Sequence, residues 1–154
     1  MRVDVSSEII IRRPRNDVAE YSSNPDNVPA WYVNITTVEW KTLPPVTVGS
    51  QIAFVAHFLG RRLAYTYEVV ELVPSERFVM RTAQGPFPME TTYTWESTAD
   101  GGTRMTLRNQ GTPTGFSRLV APFMGRAVRS ANRKDLGRLK RLLEARGDGP
   151  ARRS

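Results

Sequence analysis

Through residue 112 the chain is a series of short runs in which apolar and polar positions alternate, each closed by Gly or Pro. A period of two predicts strands that bury one face. The runs are Val3 to Ile11, Asn34 to Thr42, Val48 to Leu59, Arg62 to Val73, Arg77 to Ala83, Met89 to Ser97 and Thr103 to Gln110. Pro44-Pro45, Gly60, Pro74-Ser75-Glu76, the GPFP of residues 85–88 and Ala99-Asp100-Gly101-Gly102 separate them. Two short helical stretches follow the first strand. One covers Asn16 to Tyr21 behind Pro14, which suits a first helical turn. The other is the PDNVPAW of residues 25–31.

From Thr114 to Arg146 the period changes. Phe116, Leu119, Val120, Phe123, Ala127, Ala131, Leu136, Leu139 and Leu143 recur mostly every three or four residues, which predicts one apolar helix face. Arg126, Arg129, Arg133, Arg138 and Arg141 supply a basic face. Pro122 lies inside the pattern and is expected to kink the helix or mark its true start. The order is one strand, two short helices, six strands and a long helix. Connections this short predict an antiparallel sheet, and the helix must bury its stripe against one sheet face. The expectation is an α+β fold, a single domain over residues 1–146, with a disordered tail at 147–154.

The hairpin at Gly60 tests which face is inward. With Gly60-Arg61 as the two central residues of a type II′ turn, Phe58 faces Leu63, Ala56 faces Tyr65, Phe54 faces Tyr67 and Ile52 faces Val69. One face then gathers Ile52, Phe54, Phe58, Leu63, Tyr65, Tyr67 and Val69. His57 falls on the smaller face with Ala53, Val55, Ala64, Thr66 and Glu68. The bulkier, more aromatic face is expected to point inward. Later strands repeat the alternation. Phe78 and Met80, then Met89, Thr91, Tyr93 and Trp95, then Met105, Leu107 and Asn109 stand opposite in phase to the charged positions.

Composition narrows the chemistry. The chain of 154 residues has no Cys and one His, so thiol nucleophiles, disulfides and zinc–thiolate sites are excluded and no metal site is expected. G-x-S-x-G, G-x-G-x-x-G and P-loop patterns are absent. The N-terminal residues hold no apolar stretch long enough for a signal peptide or a span, so a cytoplasmic protein is expected. The net charge of +7 is uneven: residues 1–115 carry 11 basic and 12 acidic side chains, and residues 116–154 carry 11 basic and three acidic. A basic helix face suits a solvated surface, a membrane surface or a polyanion. Nucleic acid is not expected, because no aromatic side chains interleave the arginines over 126–146.

The stretches SSNPDNVPAW (22–31), VGS (48–50), YEVVELVPSERF (67–78), GPFPMETTYTWE (85–96) with GGTRMTL (101–107), and DLGRLKRLLE (135–144) together resemble the START-related, or SRPBCC, superfamily, in its polyketide cyclase/dehydrase and lipid-transport branch. The resemblance covers about residues 3–146. It implies the helix-grip fold, a seven-stranded curved antiparallel sheet around the long C-terminal helix. It also implies a cavity between them for a hydrophobic ligand, a lipid, polyketide or aromatic metabolite. The residues alone fit either a filled core or a pocket wall; the family pattern favours the wall. Its candidates are Phe54, Phe58, Tyr65, Tyr67, Met80, Met89, Tyr93, Trp95, Met105 and Leu107 from the sheet, and Phe116, Val120 and Phe123 from the helix. Trp31 and Phe87 are candidates for the mouth, as gates or as plugs.

Two uses of such a cavity stand open. One is a carrier or binding module. The other is a cyclase or dehydratase, which requires a cavity-facing acid in an unusual environment. Of the acids inside strands, Glu68 is expected to face out, and Glu71 shares the inward parity unless a bulge intervenes. Tyr65, Tyr67 and Tyr93 are candidate hydrogen-bond donors to a carbonyl. No cofactor is expected, and catalytic residues are not identifiable. A third use is a membrane-surface role of the basic helix.

Overall fold

In the computed structural model, residues 2–58, 60–85, 87–112 and 117–147 are described, the side chains of 117–122 and residue 147 apart. Phe116, the side chain of Val120 and the tail at 148–154 lie outside the described residues. Seven strands form one sheet: β1 (Val3–Ile11), β2 (Ile35–Trp40), β3 (Gln51–Phe58), β4 (Arg61–Val73), β5 (Arg77–Gln84), β6 (Met89–Ser97) and β7 (Thr103–Gly111). The spatial order is β1-β7-β6-β5-β4-β3-β2, and every pair is antiparallel. Between β1 and β2 lie α1 (Arg15–Ser22), a single 3-10 turn (Pro25–Asn27) and α2 (Val28–Trp31). The long helix α3 (Ser117–Gly147) runs through Pro122 without a break, so that proline does not mark its start.

The helix is held to one end of the sheet by polar clamps. The Arg12 N–H donates to Glu144 Oε2 at 2.9 Å, Lys140 Nζ to the Ile10 carbonyl at 2.7 Å and Arg13 Nη1 to the Leu143 carbonyl at 2.6 Å. Beneath them Leu136, Leu139 and Leu143 are buried in one cluster with Ile11, Trp95, Met105 and Leu107. Each fully buried Leu is worth roughly 1.5–3 kcal/mol of removed apolar surface.

One expectation of register needs correction, and one alternative left open in β4 is decided. The β3–β4 turn is not centred on Gly60-Arg61, because Phe58 pairs with Arg61, which already belongs to β4. Gly60, with φ +75°, holds the second central place, a conformation that suits glycine. Pairs therefore move by two residues, so that Phe54 meets Tyr65 and Ile52 meets Tyr67. A shift of two preserves both faces, which leaves Ile52 and Phe54 buried and His57 exposed. In β4 a bulge between Val69 and Glu71 breaks the alternation. Glu71 is thereby turned out, where it pairs with Arg77 Nε at 3.0 Å.

The stripe on α3 also differs from its expected course. Phe123 is 68% exposed, whereas Met124 beside it is buried. The inward line runs through Met124, Val128, Ala131, Asn132 and Asp135 before it reaches the leucines. The expected stripe missed Met124 and Val128, which lie one residue beyond Phe123 and Ala127 on the helix, and it passed over Asn132 and Asp135 because they are polar.

Candidate functional site

A cavity of about 140 Å³ lies between the concave sheet face and the first half of α3. For scale, an engineered apolar cavity of about 150 Å³ holds a benzene ring. Strands β3 and β4 contribute Phe54, Ala56, Phe58, Leu63, Tyr65 and Tyr67 to its wall, and Met80 lies on β5. Met89, Thr91 and Tyr93 come from β6, and Asn109, Gln110 and Gly111 from β7. Val28, Tyr32, Asn34 and Ile35 close one side, and Met124, Val128, Ala131, Asn132 and Asp135 of α3 form the roof.

Of the side chains expected in the wall, Phe54, Phe58, Tyr65, Tyr67, Met80, Phe87, Met89 and Tyr93 line this cavity. Trp95, Met105 and Leu107 face the same side of the sheet but sit in the solid cluster beyond it. Trp95 Nε1 donates to Ser22 Oγ of α1 at 3.1 Å, which ties it to that end. Trp31 is fully buried against Tyr32 and Tyr93 and does not reach the cavity. Phe87 is 8% exposed and packs with Val3, Val5 and Met124 at the rim. Phe123, exposed on α3, does not join the lining.

The polar groups of the wall form two sets. In the first, Tyr67 Oη lies 2.8 Å from Thr91 Oγ1, Thr91 Oγ1 donates to Asn109 Oδ1 at 2.8 Å, and Asn109 Nδ2 donates to Asn132 Oδ1 at 2.9 Å. In the second, the hydroxyls of Tyr32 and Tyr93 are 2.6 Å apart, and Asp135 Oδ1 accepts the Val33 N–H at 2.8 Å. Asp135 is 3% exposed. Burial pushes its carboxyl up to about 7, against the opposing pull of the Val33 N–H, Arg138 and Lys134. Burial likewise raises the phenols of Tyr32, Tyr65 and Tyr93, and it lifts Tyr67 to about 12. All four tyrosines are neutral near pH 7, and the hydroxyls of Tyr32, Tyr67 and Tyr93 are engaged in hydrogen bonds.

Sequence reasoning missed Asp135 and Asn132. The signal was present: Ala131, Asp135 and Leu139 are spaced by four along one helix face. An acid inside an apolar stripe is a candidate functional group. Among the described residues there is no group of three or more His, Cys, Asp or Glu side chains that could hold a metal, and no helix is long and apolar enough to cross a membrane.

Residues 2–144 match the family described as polyketide cyclase/dehydrase and lipid transport. The chain belongs to this family. Solved structures agree on the fold. An aromatase/cyclase of Streptomyces sp. R1128, Zhui, superposes with a TM-score of 0.82 at 13% identity, covering 97% of this chain and 98% of its own. A Thermus thermophilus protein, TTHA0849, gives 0.80 at 18% identity over 92% of this chain and 97% of its own. A START superfamily protein of Mycobacterium smegmatis gives 0.68 at 16% identity, over 93% and 95%. No curated protein matches the sequence. This polyketide cyclase/dehydrase and lipid-transport member thus has the helix-grip fold of the START-related superfamily, with the curled seven-stranded sheet around α3.

Proposed function

We propose that the chain binds a compact hydrophobic small molecule of aromatic or polyketide type between the sheet and α3, as a carrier or binding module. The observation that carries this reading is the cavity of about 140 Å³, whose wall is apolar except for a few convergent polar groups. Its size suits one or two rings better than a diacyl lipid. Met80, Met89 and Met124 add adaptable surface. The family assignment supports a ligand of this class, and a cytoplasmic carrier is consistent with it. The test is native mass spectrometry of freshly purified protein, joined to NMR titration with naphthalene-sized probes. Shifts at Tyr67, Tyr93 and Met80 are expected; probes that perturb none of them sink the reading.

A second reading has one observation in its favour. Asp135 is the cavity-facing acid that a cyclase or dehydratase needs, and a carboxyl near 7 gives and takes protons at neutral pH. In this reading Asp135 moves a proton at the carbon next to a carbonyl, and the Tyr32–Tyr93 pair hydrogen-bonds the oxygen. Turnover of a poly-β-ketone mimic that inflects near pH 7 and vanishes in Asp135→Asn supports it. Full activity in Asp135→Asn refutes it.

A further inference from the structure

The set that runs from Tyr67 to Asn132 has a direction. A threonine hydroxyl has one hydrogen, and that of Thr91 goes to Asn109 Oδ1. Tyr67 must then donate to Thr91, so its oxygen offers the cavity lone pairs and no hydrogen. Asn109 spends its carbonyl on Thr91 and donates Nδ2 to Asn132 Oδ1. The series ends at Asn132 Nδ2, a buried amide nitrogen with no protein partner, on a side chain that is 3% exposed and lines the cavity. A buried donor without an acceptor is costly unless something completes it. Because Oδ1 is engaged by Asn109, the amide cannot turn over without losing that bond.

We propose that Asn132 Nδ2 is the anchor for an acceptor oxygen of the ligand, a ketone or quinone oxygen on a compact ring system, and that Thr91 and Asn109 hold this amide in its donor orientation. The inference rests on the binding reading above and gives it a polarity. The cavity selects ring ligands with a carbonyl over hydrocarbons of the same shape. Tyr67 donates to Thr91 at the far end of the series, in contrast to its expected role as a donor to the ligand.

The test compares α-tetralone with tetralin, which share a two-ring body and differ in one ketone. Wild type is expected to bind the ketone about tenfold more tightly, the scale of one neutral hydrogen bond. The Asn132 side-chain amide signals should move with tetralone and not with tetralin. Asn132→Asp, assayed at about pH 9 so that its buried carboxyl is ionised, keeps an oxygen for Asn109 and removes the donor, so it should bind both probes with equal affinity. Asn132→Leu, which carries no charge, should do the same and guards against misfolding of the Asp variant. Tyr67→Phe should retain the preference. If wild type binds both probes equally, or if either Asn132 variant keeps the preference, the anchor is wrong. If Tyr67→Phe abolishes the preference while Asn132→Asp retains it, the series runs in the opposite direction and the proposal is overturned. If neither probe binds wild type, the binding reading itself fails and the anchor with it.

Discussion

Two regions of the concave face share the same sheet and the same helix, and they differ in what α3 puts between them. Toward its C-terminal end α3 contributes Leu136, Leu139 and Leu143, which are buried in one cluster with Trp95, Met105 and Leu107, and none of these six lines the cavity. Over the preceding turns it contributes Val128, Ala131, Asn132 and Asp135, and the sheet opposite keeps its aromatic wall of Phe54, Tyr65, Tyr67 and Tyr93. The void follows from short side chains on the roof. Polarity is added to it by Asn132 and Asp135, whose neighbours are otherwise apolar. Stability is thus concentrated in the buried cluster, and the proposed recognition in the hollow region.

Truncation is the sharpest way to break that contrast. Leu139→Ala should cost about 2–5 kcal/mol, because it opens a cavity in a closed core. Leu63→Ala, half-buried on the cavity wall, should cost under about 1.5 kcal/mol. Equal losses in urea unfolding would mean that the two regions are packed alike.

Next in size is the pH dependence that Asp135 confers. Its carboxyl titrates at about 7 in the folded chain and near 3.9 when unfolded. The folded state therefore holds the proton more tightly. The contribution of this group is fully favourable below about pH 4, falls as pH rises toward 7, and stays low above. Asp135→Asn keeps an oxygen for the Val33 N–H and removes the ionisation. The variant should gain on wild type by a few kcal/mol between pH 4 and 8, on the order of 1.4 kcal/mol per unit at the steepest. A constant difference across that range would place the Asp135 carboxyl in water.

Filling the hollow region should separate binding from folding. Ala131→Leu projects from the roof into the void, so its stability should stay within about 1 kcal/mol of wild type. Binding of α-tetralone should fall at least about tenfold. The smallest effect is expected on the convex side. His57→Ala removes an exposed side chain and should change stability by less than about 0.5 kcal/mol, with ring-ligand binding unchanged.

The strands were legible because a period of two is a property of the backbone pleat, and polar residues mark the wet face. Hence Phe54, Tyr65, Tyr67, Met89 and Tyr93 could be assigned to one side from their spacing alone. The exact pairing was not legible at Gly60, since both two-residue turns keep the same parity and both accept a positive φ at Gly60; only the pairing of Phe58 with Arg61 separates them. The bulge at Glu71 was foreseeable only as an alternative. On α3 the apolar positions misled at Phe123 and passed over Asn132 and Asp135. A periodic search by hydropathy cannot find polar groups that share a buried face.

By itself the sequence determined the element order, the antiparallel sheet, the long helix that must cover it and the inward set of each strand. Those follow from local periodicity and from connections too short for crossovers. Only the tertiary structure decided which part of the inward set is core and which is wall. That division depends on the side chains that α3 brings from far along the chain, Leu136, Leu139 and Leu143 in the buried cluster and Ala131, Asn132 and Asp135 on the cavity wall. It likewise decided that Asp135 and Asn132 face a cavity, where burial changes the proton affinity of one and leaves the other with an unused donor.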